Sequence, residues 1–445
     1  MTYEFRSEKD FKSFDDYLIK NGGTYMQCSL WPDAKPAWKP HFYVGFKNGE
    51  RVFQCLILGR VLPMAGLVWY IPDGFICDYT NEVLISEFTS FIKTEMKKNN
   101  VTVLLTDPHI PLRVNGENQQ QGIDAHNMLI SNGYKLNHNI ENYIYKAPVQ
   151  YYIPLKNKET GESYSADDII KKCEKGVRYS VRIGDQRGLT SKICSYEDVK
   201  NDPSLMDDFM QVMGDTSDRN DFMERNSGYV THLMEVFKDY MDLSLVYYDK
   251  NEDKKLQDER DIQVAENLKK METCNEKQKK KLQNENETIQ QQTDNYIKRY
   301  KLAEEFTDKE RFCVAAGLTI RYNGIAGCIF GGSRNILRNE TRPSHYVNYL
   351  RLKRSVESGC DIHDLGYIFV DEAEHPSDEN MPLGEFKVRE DFIGIRDFKA
   401  SFNSDLIEFI GEYALVNNKF KFKLYNDFVP KARKLKIKIA RKLRK

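Results

Sequence analysis

The sequence predicts an α/β (α+β) protein of two mixed-sheet lobes, with an antiparallel coiled-coil hairpin inserted into the second. Three observations carry that expectation. Each half alternates strand-like runs with amphipathic helical stretches, and each contains an Asn-Gly turn between two strands, at Asn48-Gly49 and Asn323-Gly324. The segment from Asp249 to Thr307 is almost without Gly or Pro and crowded with Lys, Glu, Gln and Asn. The chain of 445 residues is also too long for one ordinary core.

In chain order, residues 11–19 read as a first helix stopped by Asn21-Gly22-Gly23. An irregular aromatic stretch, Tyr25 to Lys35, follows. Residues 41–46 and 51–58 form a hairpin, 67–72 a strand, 81–98 a helix and 101–108 a buried strand. A helix near 124–132 ends at Gly133, and 142–149 is strand-like. The second half starts with helices over 166–174 and 177–184, where Arg178 and Arg182 stand one turn apart with Arg187 beyond. Helices 204–213 and 228–240 precede the strands 243–248 and 313–321. The Asn323-Gly324 turn then leads into 325–333, and helix 345–358 leads into 360–369. Residues 404–410, with apolar side chains at 406, 407, 409 and 410, read as a short amphipathic helix.

Inside the segment between the strands 243–248 and 313–321, Val264, Leu268 and Met271 step by four and three. Leu282, Ile289, Tyr296 and Ala303 recur every seven. Two such runs around a polar middle read as a helical hairpin, the alternative being a charged disordered linker. The boundaries expected are 1–150 for the first lobe, with the family resemblance described below implying its completion by 395–430. The second lobe takes 151–394, the hairpin 249–307 and the C-terminal tail 431–445.

The formal charge of −1 hides an asymmetry. Lys431 to Lys445 carry nine Lys/Arg and no acid, so the remainder stands at −1 − 9 = −10. Ala432, Leu435, Ile439 and Leu443 share one face of that tail, a pattern suited to an anionic membrane surface or to RNA phosphates, or to solubility alone. The N-terminus lacks the apolar core of a secretory signal, and no apolar run reaches the length of a membrane span. The nine cysteines are scattered without a CxxC pair, which fits a reducing cytoplasm. Histidines lack partners at ligand spacing, so no metal site is expected. There is no GxxxxGK[ST] loop and no GxSxG elbow.

What remains is a set of aromatics, arginines and isolated lysines: Lys35, Asp107, Arg225, Tyr229 and Lys399. Such a set can bind a large anionic substrate and stabilise charge in acyl transfer. Lys399 is the most pointed of them, framed by Phe398 and Phe402 and preceded by Gly394, which offers a backbone hinge. Its plain alternative is an exposed lysine over a hydrophobic staple.

Several segments together resemble the Fem (FemABX) family of aminoacyl-tRNA-dependent peptidoglycan interpeptide-bridge transferases, over nearly the whole chain. Gln27-Cys28-Ser29-Leu30-Trp31 with Lys35 resembles its opening motif. Met213, Thr216-Ser217, Arg219, Phe222, Arg225 and Tyr229 resemble a stretch of its second lobe. Ser358-Gly359-Cys360-Asp361 with Asp364-Leu365-Gly366 resembles the approach to its closing motif. Gly394-Ile395, Phe398-Lys399 and Phe402-Asn403 resemble that G-x-x-x-F-K-x-x-F motif itself. Phe330 departs from the pattern, standing where a tyrosine is usual before Gly-Gly.

The resemblance implies two GNAT-like lobes, with the hairpin similar to the tRNA-gripping arm of seryl-tRNA synthetases. It implies transfer of an amino acid from aminoacyl-tRNA to a side-chain amine of the peptidoglycan stem peptide, on a lipid-linked or UDP-linked muropeptide precursor. No cofactor is implied. Lys35, Arg225 and Tyr229 match positions that hold the muropeptide–diphosphate, Phe398 and Lys399 match the transfer site, and Asp107 matches a proposed base or, alternatively, a cap. A cytoplasmic enzyme, peripheral at the inner membrane face through Lys431–Lys445, is the expectation. Its rival is a non-catalytic RNA- or membrane-binding scaffold, and an acyl-CoA transferase is disfavoured by the lack of a pyrophosphate-binding loop.

Overall fold

Two units organise the chain: Met1–Pro154 with Tyr322–Ile325 and Ile362–Lys445, and Leu155–Arg321 with Ala326–Asp361. The computed structural model describes residues 3–137, 148–220, 222–372 and 386–442.

The first unit begins with β1 (Glu4–Ser7) and α1 (Phe11–Lys20), whose N-cap Asp10 accepts from the Ser13 N–H and whose Phe14 and Leu18 are buried. β2 (Lys39–Lys47) and β3 (Glu50–Leu62) pair antiparallel around Asn48 and Gly49. Both turn residues have positive φ, 53° and 84°, the geometry that Asn-Gly favours in a two-residue hairpin. β4 (Gly66–Ile71) and β5 (Ile76–Cys77) follow, then α2 (Glu82–Lys98), which turns Leu84, Ile85, Phe88, Ile92 and Met96 into the core. β6 (Val101–Thr106) is buried along its whole length and runs parallel to β4, as the crossover through α2 permits. β7 (Pro111–Val114), β8 (Glu117–Asn118), α3 (Gln120–Ser131), β9 (Lys135–Leu136) and β10 (Val149–Pro154) complete this stretch. The strand expected over 142–149 falls almost wholly outside the described residues.

The second unit carries α4 (Ala166–Lys172), α5 (Lys175–Gly184), β11 (Leu189–Cys194), α6 (Tyr196–Asn201), α7 (Ser204–Asn220) and α8 (Ser227–Phe237). α7 runs seven residues beyond the expected end at 213. Thr216 and Ser217 are accommodated within it, their hydroxyls donating back to the Val212 and Gly214 carbonyls. β12 (Met241–Asp249) leads into α9 (Lys250–Thr273) and α10 (Glu276–Phe306), and β13 (Arg311–Tyr322) returns antiparallel to β12. β14 (Ile325–Ser333), α11 (Arg338–Thr341) and α12 (Pro343–Glu357) close the unit, with sheet order β11-β12-β13-β14.

The helical hairpin is therefore present, and its seam differs in detail from the apolar pattern. Val264 and Met271 are half-buried, but Leu268 is 54% exposed and Asn267 faces the partner helix, donating to Asn286 Oδ1 at 2.9 Å. Nearer the root, Gln257 donates to Thr293 Oγ1 at 2.8 Å, and Arg299 clasps Asp253 through two bonds of 2.6 and 3.0 Å.

The chain then returns to the first unit through β15 (Ile362–Tyr367), β16 (Val370–Glu372), β17 (Phe386–Val388), α13 (Ile393–Ala400), β18 (Asp405–Phe409), β19 (Tyr413–Val416) and α14 (Lys419–Lys442). One sheet has the order β1-β2-β3-β4-β6-β19-β9, with β5 on β3. A further set of strands runs β15-β10-β18-β7-β8. The segment expected as an amphipathic helix over 404–410 is thus the strand β18. It hydrogen-bonds to β10 on one side and β7 on the other, and buried Glu408 pairs with Arg113 of β7 at 2.6 Å. Nonlocal pairing on both edges overrides a local period over so short a run. α14 packs Phe422 and Tyr425 against Val68, Tyr70, Val103 and Ala414 on the first sheet.

Candidate active site

The chemistry-bearing residues of the first unit collect where parallel strands β4 and β6 end. The chain leaves β4 through Pro72-Asp73-Gly74 and leaves β6 through Asp107-Pro108-His109. Asp107, 8% exposed, ties the two exits together: one carboxylate oxygen accepts from Tyr70 Oη at 2.7 Å, the other from the Asp73 N–H at 3.0 Å. The Asp73 carbonyl in turn accepts from the His109 N–H at 3.1 Å, and its carboxylate accepts from Thr24 Oγ1. Burial, and then the neighbouring Asp107, push the Tyr70 phenol well above its ordinary range, so it remains a donor. Gly74 (φ 82°) permits the close approach, since a Cβ there would meet Pro108 Cα at 2.8 Å. Gln27, from the opening aromatic motif, locks the same corner by donating to the Leu56 and Pro72 carbonyls and accepting from the Leu56 N–H.

His109 extends this corner. Its Nε2 lies 3.1 Å from Tyr152 Oη on β10, the Tyr152 hydroxyl donates to Gln150 Oε1 at 2.8 Å, and the Phe409 ring of β18 covers the imidazole at 4.5 Å between centroids. Burial raises the Tyr152 phenol well above its usual value, with Asp364, Asp73 and Tyr25 close enough to add to the effect. Tyr25 stands edge-on to Trp31 at 5.3 Å, and Lys35 Nζ sits 4.5 Å over the Trp31 ring. Lys35 thereby reaches the network through two aromatic rings.

Lys399 bonds to the neighbouring strand β15. It occupies the last turn of α13, half-buried, where a cation complements the helix C-terminus. Its ammonium donates to the Tyr367 carbonyl at 2.7 Å, and Tyr367 is the register partner of Gln150 across β15 and β10. Phe398 and Phe402 meet edge-to-face at 5.3 Å, with Phe402 only 1% exposed. The expected glycine hinge is not at Gly394, which has ordinary φ within α13 and open space around it. The chain reverses instead at Asn403 (φ 55°), after Ser401 and Ser404 hydroxyls satisfy the carbonyls of Phe398 and Lys399.

Lys35, Asp107, Phe398 and Lys399 all belong to the first unit; hydrogen bonds there join Asp107 to Tyr70 and Asp73, the Asp73 carbonyl to the His109 N–H, and Tyr152 to His109 and Gln150. Tyr25 opens the aromatic stretch noted in the sequence, whereas Gln150 and Tyr152 carried no local signal and His109 had only its place two residues after Asp107. In the second unit, Arg225 is exposed ahead of α8, its guanidinium 5.0 Å from the Tyr229 ring, while Asn226 caps the helix by accepting from the Tyr229 N–H at 2.8 Å. The glycines after half-buried Phe330 serve packing: a Cβ on Gly332 would lie 2.1 Å from Thr216 Oγ1 of α7. Among the described residues, no three His, Cys, Asp or Glu side chains gather as metal ligands.

Comparison with known proteins agrees over almost the entire length. The lipid II:glycine glycyltransferase of Staphylococcus aureus strain bovine RF122 / ET3-1 is 25% identical over 443 residues, covering 97% of each chain. That of S. aureus strain USA300 is 24% identical with the same coverage. A crystal structure of FemX shares the fold, with a TM-score of 0.71 over 95% of this chain and 99% of that one, at 22% identity. The FemAB family model matches residues 7–429, so the chain belongs to the FemAB family and is an aminoacyltransferase.

Proposed function

We propose that this enzyme transfers an amino acid from aminoacyl-tRNA to the side-chain amine of a peptidoglycan stem peptide carried on a lipid-linked precursor, building an interpeptide bridge. The observation that carries the reading is Lys399: a half-buried lysine whose ammonium is oriented by the Tyr367 main-chain carbonyl, on the turn where Phe398 and Phe402 meet.

An aminoacyl ester is already activated, so the protein's task is alignment and charge stabilisation. The neutral acceptor amine attacks the ester carbonyl, forming the new C–N bond and placing negative charge on the carbonyl oxygen. Lys399 stabilises that oxyanion. Collapse of the tetrahedral species breaks the C–O bond and releases the tRNA ribose oxygen, which takes up a proton, while the amine loses one. Asp107 is the proposed acceptor of the amine's proton. Lys35, Arg225 and Tyr229 are assigned to acceptor binding, the first held over Trp31 and the other two stacked on each other.

The tail is assigned to the membrane surface. Phe428, Leu435 and Ile439, spaced by seven and four, share a face of α14 and are 46%, 59% and 50% exposed. With the basic residues between them, they suit the anionic cytoplasmic leaflet that presents a lipid-linked acceptor. Among the described residues no helix is long and apolar enough to cross a membrane.

The test is a transfer assay with total tRNA charged by each labelled amino acid in turn and a lipid-linked muropeptide as acceptor. One amino acid should appear on the stem peptide, and ribonuclease treatment of the donor should abolish the product. Binding of tRNA with no transfer of any amino acid would favour the scaffold reading.

A further inference from the structure

Unit two holds a group of arginines that its own carboxylates do not neutralise. Arg299, Arg321, Arg334 and Arg354 each pair with an aspartate, Asp253, Asp242, Asp215 and Asp242 respectively. Arg182, Arg187, Arg219, Arg338 and Arg342 form no ion pair among the described residues. Arg187 donates instead to the Glu340 carbonyl and, at 3.0 Å, to Tyr179 Oη. Arg219 donates to the Ser333 carbonyl at 3.0 Å and to Asn335 Oδ1 at 2.7 Å. Arg338 and Arg342 are exposed at the two ends of α11, a single turn bracketed by left-handed Leu337 (φ 57°) and Arg342 (φ 53°). The carboxylates close by are already engaged: Glu340 with Lys298 at 2.9 Å, Asp185 with Tyr346 Oη, and Asp215 with Arg334.

These residues form one surface. Tyr179, 42% exposed, lies beside both Arg182 and Arg187, whose guanidinium carbons are 5.8 and 6.0 Å from its ring. Burial lowers the Arg187 and Arg219 guanidinium pKa values, and crowding by like charges adds to it, from Arg299 and Arg342 on Arg187 and from Arg338 on Arg219. Burial, with Arg342 beside it, likewise pushes the His345 imidazole down to about 4.

The surface also lies at the root of the helical hairpin. Arg260 of α9 donates to the Gln186 carbonyl at 2.6 Å, and Lys298 of α10 pairs with Glu340, so the arm is tied to the two segments that bear the arginines. The arm itself is electrically neutral, with thirteen Lys/Arg against thirteen Asp/Glu from Lys250 to Phe306. Long-range attraction for a polyanion must therefore come from elsewhere. Planar guanidinium forks flanking an exposed ring suit phosphodiesters and a stacked base.

We propose that Tyr179, Arg182, Arg187, Arg219, Arg338 and Arg342 form a phosphodiester-binding surface that receives the backbone of the tRNA donor at the hairpin root. This rests on the aminoacyl-tRNA reading above and locates its electrostatic anchor.

The test compares the full-length enzyme with a variant carrying Arg182→Ala, Arg338→Ala and Arg342→Ala, all exposed, and with the matching triple lysine variant. Binding of uncharged total tRNA is followed by fluorescence anisotropy across a salt series, beside the transfer assay. Each lost phosphate contact should remove about 0.7–0.9 from the slope of log affinity against log salt, so the alanine variant should lose roughly two units of slope and about tenfold or more in affinity at low salt. Its KM for aminoacyl-tRNA should rise correspondingly with KM for the acceptor unchanged, and the lysine variant should recover most of the slope. An alanine variant with wild-type slope and KM overturns the proposal, as does one that keeps tRNA affinity and loses binding to anionic vesicles. A wild-type enzyme that transfers nothing from any charged tRNA would instead overturn the functional reading on which the proposal rests.

Discussion

Under the proposed function, Lys399 is a charge positioned before the substrate arrives: the Tyr367 carbonyl holds its ammonium and the Ser404 hydroxyl bonds its carbonyl at the end of α13. Methionine keeps the aliphatic stem and deletes the charge, so Lys399→Met should fold with unchanged thermal stability. Turnover should fall by about 10²–10³, the usual effect of removing one preorganised oxyanion partner, with little change in KM for either substrate. Lys399→Arg should recover part of the loss, because a planar fork places its charge differently. Steady-state kinetics decide it; near-normal turnover for the methionine variant would return Lys399 to the role of a surface lysine. At this scale the sequence was legible where one residue stood chemically alone, as Lys399 does between Phe398 and Phe402. It was silent for Tyr152 and His109, which meet across 43 residues and look individually like an ordinary strand tyrosine and a loop histidine.

The helical hairpin shows the same contrast one level up. Its existence could be read because Asp249–Thr307 lacks helix breakers and repeats every seven residues. Its packing could not, because the seam is largely polar and Asn267 takes the place that an apolar count gives to Leu268. The root pair Asp253–Arg299 also accepts the Tyr248 hydroxyl from β12, so removing the whole insertion would strip a buried phenol of its partner. Replacing residues 262–289 with a short Gly/Ser loop leaves that root intact, along with Gln257 and Thr293. The shortened enzyme should melt within a few degrees of the parent and keep its KM for the muropeptide, while KM for aminoacyl-tRNA rises. Normal use of the donor would assign the arm another task, such as self-association, which light scattering would reveal. β18 failed in the opposite direction: its local period suggested a helix, and partners 250 to 300 residues away on β10 and β7 make it a strand.

For the whole molecule, charge is the organising quantity. Nine cations in Lys431–Lys445 sit on a chain that otherwise carries −10. Such a tail is drawn to an anionic surface by roughly 1 kcal/mol per basic residue, an attraction that salt weakens. Deleting 431–445 should abolish co-sedimentation with phosphatidylglycerol vesicles at low salt and slow transfer to a vesicle-borne acceptor, while transfer to a detergent-dispersed acceptor persists. Unchanged sedimentation would direct the tail towards RNA. The tail's composition made it legible from sequence. The return of 395–430 to the first lobe was expected only through the family resemblance, and the local pattern did not show that 405–409 would enter a sheet as β18.

The polar rungs of the hairpin carry a consequence for how such arms can diverge. Asp253–Arg299, Gln257–Thr293 and Asn267–Asn286 work only if both helices keep step. Inserting one residue into α9 alone rotates every rung beyond it by about 100° and sets amides against solvent or against Ile289. Between the rungs, adding seven residues to each helix together keeps the pairs facing one another and moves the tip by about 10 Å at 1.5 Å per residue. The rungs therefore confine free variation in length to the tip beyond Asn267 and Asn286, and related enzymes should differ there more readily than near the root.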